Sequence, residues 1–195
     1  MKTTSQVSCG TFATKFALAL ALALLSFLPN ALAQASSSAS TLFMTLEGVK
    51  SGQIKGESTL KGREDQHKVL AYSHEIVSLR DPQSGLPTGK RQHQPFRVVK
   101  LINSASPVLL NLMATSELFK TVTIDVWTPN SVGVDNKILT YKLTNASLIS
   151  LRPWMPNKSD SSAAGYPPAE ELAFVYQTIT VTYWNGGVTG QDDWN

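Results

Sequence analysis

Apolar and polar side chains alternate one by one through the second half of this chain, and few patterns restrict a fold more tightly. Val122, Ile124 and Val126 share one parity, with Thr121, Thr123 and Asp125 on the other. Leu139, Tyr141 and Leu143 repeat the pattern against Thr140, Lys142 and Thr144. Ala173, Val175, Ile179, Val181 and Tyr183 do so against Thr178, Thr180 and Thr182. A strand turns successive side chains to opposite faces, so each stretch predicts a strand with one face buried and the other wet. Within 136–151 the phase is disturbed at Asn145-Ala146, which predicts a bulge or bend in one long strand.

Three earlier stretches add strands: Leu42, Met44 and Leu46 ending at Gly48, then Lys68 to Leu79, then Pro95 to Ile102. One segment has a different period. Ser106-Pro107 reads as an N-cap followed by proline at the first helical position, and VLLNLMA follows at helical spacing. A helix over Ser106–Ser116 is expected. Two long loops remain, Arg80–Gln94 and Pro153–Ala169, and loops this long in a compact domain usually serve function or a partner. The sum is a mainly β fold: a small barrel or sandwich of about seven antiparallel strands with one flanking helix.

The N-terminus is set apart. Lys2 and Lys15 flank a polar stretch, Phe16 to Leu28 is wholly apolar apart from Ser26, and Pro29-Asn30 leads to Ala31-Leu32-Ala33. A positive region, a short apolar run and a small-x-small site in that order specify a secretory signal peptide over residues 1–33. The apolar run is too short to cross a bilayer, which needs about 20 residues. Cys9 precedes that run, so a lipoprotein site does not fit. Residues 34–40 (QASSSAS) are then a disordered linker and residues 41–195 the domain. Removing the leader takes away two lysines and the single cysteine, leaving 15 basic against 14 acidic residues, a net +1. A near-neutral domain has no overall electrostatic reason to bind nucleic acid or anionic lipid, and no other apolar run is long enough for stable membrane insertion. An exported domain without cysteines must hold by packing or assembly.

The search for chemistry returns little. Gly85-Leu-Pro-Thr-Gly89-Lys90 has three residues between its glycines, no Ser/Thr after the lysine and no following helix, so it is not a phosphate loop. His67, His74 and His93 lie in no metal-binding spacing, and His74 reads as a hydrogen-bonded strand residue. No G-x-S-x-G elbow exists. Glu170-Glu171 and Asp192-Asp193 do not make paired catalytic acids: they point to opposite faces or lie in a tail, and read as solvated surface. No catalytic, metal or cofactor site is expected. Lys90, Arg91 and Arg97 around His93 form the most basic patch, better suited to docking on an acidic protein surface than to nucleic acid, since only Phe96 is near to stack. The sequons at Asn145 and Asn157 matter only in a source that glycosylates.

Four segments carry a resemblance: AYSHEIVSLRDPQSGLPTGKRQHQPF (71–96), SASPVLLNLMAT (104–115), LTNASLISLRPWMP (143–156) and EELAFVYQTITVTYWNGGVTGQDDW (170–194). In order and spanning nearly all of 41–194, they closely resemble the haemolysin-coregulated protein family, Hcp, of type VI secretion systems. The resemblance implies a small β-barrel with one flanking helix. It also implies homo-hexameric rings stacked into a hollow tube within a contractile sheath, fired out with effectors in its lumen or on its spike. Such proteins are structural and carrier proteins, not enzymes. In the family a long loop helps contact neighbouring subunits or rings, which makes Asp81, Lys90, Arg91 and His93 of the loop Arg80–Gln94 the subunit-interface candidates. A closed ring is heterologous, so this loop must meet a different surface on its neighbour.

The leader departs from the family, whose tube proteins assemble in the cytoplasm without one. Three readings stand: an exported relative whose rings form in the periplasm or outside, service to an apparatus of an unusual lineage, or translation from Met44. A solitary exported barrel acting as a surface, adhesion or binding module is the alternative function. If the leader operates, N-terminal sequencing of the protein from a periplasmic or culture fraction reads Gln34; recovery of Met1 from cytosol overturns it.

Overall fold

The computed structural model describes residues 40–163 and 165–194; the expected leader and all of the linker except Ser40 lie outside the described residues. The described residues make one compact unit. The strands are β1 (Thr41–Gly48), β2 (Gly52–Ile54), β3 (His67–Ser73), β4 (Ile76–Val77), β5 (Gln92–His93), β6 (Phe96–Leu101), β7 (Phe119–Pro129), β8 (Asp135–Trp154), β9 (Ala169–Val175), β10 (Thr178–Tyr183) and β11 (Val188–Asp193), with helix α1 (Ser106–Ala114) between β6 and β7. All pairings are antiparallel. The order β1-β3-β6-β9-β8-β7 returns to β1, closing a six-stranded barrel. The expected mainly β fold with one helix is correct, and the strands missed in the sequence are short or polar.

Closure depends on β8. Along one edge it pairs with β7; along the other its first half, Leu139–Thr144, pairs with β10 and its second half, Ser147–Trp154, with β9. The bend between the halves falls on Asn145, whose φ of 49° is left-handed, a conformation Asn tolerates better than most residues. Its side-chain amide donates to Gln177 Oε1 at 2.6 Å, and the Gln177 N–H donates to Thr144 O at 3.1 Å. The bend expected at Asn145-Ala146 is thus present, and its partner strand breaks opposite it. The alternation had joined Ala173 to Tyr183 in one strand; β9 and β10 separate at Tyr176-Gln177. With β9 inside the barrel and β10 beyond it, the β10–β11 hairpin leaves the closed wall as a flap.

Inward faces fill the barrel with Met44, Leu46, Val98, Phe96, Phe119, Val122, Ile124, Leu143, Leu172 and Phe174, all fully buried; on β9 the core parity is that of Leu172 and Phe174, opposite to the Ala173 and Val175 expected from the alternation. Phe119 meets Phe174 edge to face at 5.6 Å between centroids. Leu109 and Leu112 carry α1 into the same core. Gly56 is required by close approach: a Cβ there would lie 2.3 Å from the Gln66 backbone.

Helix α1 starts differently from the expectation. Ser106 is its first residue rather than its cap, and no side chain caps the helix from Ala105. The Asn103 side chain instead accepts the Ala105 N–H at 3.1 Å, while the Ser106 hydroxyl donates to Glu170 at 2.8 Å. Glu170 was expected on the surface and is buried, 2.7 Å from the buried ammonium of Lys100. That ammonium also donates to Leu101 O at 2.8 Å and Asn103 Oδ1 at 2.9 Å, so each of its three protons has an acceptor. The charges are interior because β6 and β9 pair Lys100 directly with Glu170. Removing one partner of such a pair leaves the other charge buried and uncompensated. Lys100→Met is therefore expected to lower the unfolding free energy by about 3–5 kcal/mol, with Lys100→Met/Glu170→Leu recovering most of the loss in denaturant titrations.

Candidate assembly surface

Between β3 and β6 the chain makes an arm. β4 and β5 pair Ile76 with His93 and Val77 with Gln92; further out, Arg80 bridges Pro87 and the Thr88 N–H donates to Leu79 O. Asp81 turns the tip: its carboxylate accepts from the N–H of Gln83 at 3.1 Å, and from the N–H and hydroxyl of Ser84 at 2.7 and 2.8 Å. Those bonds from Ser84 hold its carboxyl below the ordinary range. Gly85 follows at φ 69°. Leu79 is 40% exposed and Leu86, near the tip, 65%. Apolar side chains this exposed on a projecting arm mark a surface suited to contact with another molecule.

The interface candidates divide. Asp81 is exposed in part and shapes the tip, and Lys90 is exposed on the return limb. Arg91 forms a two-pronged pair with Asp192 of β11. His93 is only 6% exposed and is used within the subunit. Arg97, the other cation of the basic patch, pairs with Glu171 at 2.8 Å. The patch is therefore largely neutralised in the folded subunit. Asp192, expected in a tail, belongs to a strand.

The base of the arm is clamped from the opposite side. The Tyr176 hydroxyl lies 2.6 Å from His74 Nε2 and 2.9 Å from His93 Nδ1, one ring on each limb. His93 Nε2 is 3.2 Å from Asp192 Oδ2, out of line for a good hydrogen bond. Trp194 closes over the group, 5.5 Å from the His93 ring and 5.1 Å from the Tyr176 ring. Phe96 stacks on His74 at 5.2 Å, which joins the clamp to the core. Burial lowers both imidazoles from their ordinary value and raises the Tyr176 phenol. Tyr176 carries no signal in the sequence, where it falls outside the apolar phase read for Ala173–Tyr183.

Beside the clamp, Ser73, His74, Glu75, Gln94, Pro95 and Arg97 line an open cleft of about 470 Å³. Beyond it, β11 pairs among the described residues with β10 alone, which leaves its outer edge without a strand partner there. Among the described residues no group of three or more His, Cys, Asp or Glu side chains is placed to hold a metal, and no helix is long and apolar enough to cross a membrane.

Residues 43–183 match the family described as type VI secretion system effector, Hcp. This chain belongs to the Hcp family. It is 33% identical over 165 residues to the "Major exported protein" of Pseudomonas aeruginosa, covering 80% of this chain and 96% of that one. The fold matches a crystal structure of an Hcp protein with a TM-score of 0.75 and 26% identity, over 80% of this chain and 99% of the other. It matches Hcp1 of Escherichia coli EAEC 042 at 0.71 and 26%, over 80% and 100%. The family resemblance read from the four segments is correct.

Because the Tyr176 hydroxyl serves one buried and one half-buried ring nitrogen, Tyr176→Phe is expected to cost about 1–3 kcal/mol of stability in urea melts near neutral pH.

Proposed function

We propose that this Hcp-family chain is a non-enzymatic, ring-forming subunit of a secretion tube. The observation that carries the reading is the pairing of two unsatisfied features on one subunit: an anchored arm with an apolar tip, and a flap whose last strand has a free edge. An exposed edge normally invites aggregation, and soluble proteins cover, shorten or charge it. A ring covers it by repetition, each subunit giving one surface and receiving another until the circle closes. Membership of the Hcp family and likeness to a protein named for its export support the same reading. The homo-hexamer, ring stacking, and contacts with a sheath, spike or effectors belong to this proposal. So do the three segments: leader 1–33, linker 34–40 and barrel 41–195.

The leader pattern of residues 1–33 favours a site of action in the periplasm or outside the cell. It is the specific ground for the second reading, in which the barrel works alone as a surface or binding module. The two readings differ in mass. Residues 34–195 are expected to scatter light as six subunits and to give rings in electron micrographs. Deleting 82–88 at the arm tip should leave a folded species of subunit mass. A strict monomer at micromolar concentration with the arm intact overturns the ring.

A further inference from the structure

A phenol has one proton to give and lone pairs with which to accept. Tyr176 uses both at once. Its hydroxyl bridges His74 Nε2 and His93 Nδ1, and its own proton finds an acceptor in this pair only when one ring accepts from it while the other donates to it. The nearby Asp192 carboxylate, 3.2 Å from His93 Nε2 though out of line with it, favours the tautomer that carries the His93 proton on Nε2; in that tautomer His74 donates to the phenol and the phenol donates to His93 Nδ1.

A first added proton enters this chain without breaking it, because His74 already donates through Nε2 and can take the proton on Nδ1. A second has no such place. On His93 Nδ1 it converts the acceptor into a donor, two N–H groups then converge on one oxygen, and the phenol proton loses its acceptor. The rings are 6.4 Å apart, so two imidazolium charges would also repel. The surrounding charges do not compensate. On the β5 limb Arg91 adds a further positive charge, and it already occupies Asp192 of β11. Asp193, next along β11, favours the charged form of His93 through its backbone and then its charge, but less than burial and Arg91 oppose it. Glu75 and Arg97, flanking His74 in the cleft, carry opposite signs.

We propose that His74, Tyr176 and His93 form an acid-operated latch that holds the base of the arm to the barrel and to β11 and releases it when both rings are protonated. Both imidazoles sit below their ordinary value of 6.5 in the folded subunit, chiefly through burial, helped at His74 by His93 and at His93 by Arg91. The unfolded or released chain therefore takes up protons first as the pH falls. Stability that is complete above the ordinary value is withdrawn as pH drops through the folded values. The latch itself does not depend on ring formation; that its opening loosens assembly rests on the proposed function.

The test is amide hydrogen exchange of residues 34–195 at about pH 7.5 and about pH 5, corrected for intrinsic chemistry. Protection of residues 76–77, 92–94 and 191–194 should fall at least tenfold more than that of β1 and β7 on acidification. His93→Gln, which keeps a donor and an acceptor but cannot titrate, should remove that difference. Should this variant fail to fold, ring-nitrogen NMR of the wild-type protein gives the second reading. Both rings should titrate below the ordinary histidine value, His93 last, with arm protection lost in step with His93. Rings that titrate while the arm stays protected, or a uniform loss across the barrel, overturn the latch. Particle mass recorded on the same samples separates that outcome from failure of the ring reading.

Discussion

Everything in this subunit depends on one strand serving two partners along the same edge. A six-stranded barrel has no edge left once its last pair forms, and a chain that merely closed would offer its neighbours only side chains. Here β8 closes the barrel with its second half and, beyond Asn145, carries its first half out to β10. A left-handed residue is a local cost that buried neighbours must sustain. What it achieves is a molecule with a finished interior and an unfinished margin.

The same division explains what the sequence made legible. Alternation reports which face of a strand is buried, so the barrel strands, the long β8 and even its bend could be read from Val122, Leu139 and the disturbed phase at Asn145. It says nothing of which strand lies next to which, and so β9 and β10 ran together across Tyr176. Short ladders such as β4–β5 bury too little to leave a pattern. β11, with VTGQDD, has no apolar phase at all and is a strand only because β10 offers it a hydrogen-bonding edge.

The polar interior was the least legible part. Glu170 and Lys100 look like surface residues in any hydropathy pattern, and only their cross-strand register makes them a buried pair. His93, chosen as an interface residue for its place in a basic loop, is enclosed by Tyr176 and Trp194 from distant sequence. Charge in a loop reports what could meet a partner; whether it has already met one inside its own chain is a question of tertiary geometry. The exposed tip of the arm, by contrast, was readable as a segment with too much glycine, proline and charge to pack by itself.

The clamp also has a direction in time. Arg91 and Asp192 are 101 residues apart, and His93 and Trp194 likewise come from the early and late parts of the fold. During synthesis the arm emerges long before the groups that fix its base. Contacts of such long range form last because the loop they close is large. Until the β11 segment arrives, the base of the arm lacks its contacts with Asp192 and Trp194. The shape of the arm thus depends on the last strand of the fold, and a chain cut short of β11 would lose the Asp192 and Trp194 contacts that fix the arm's base.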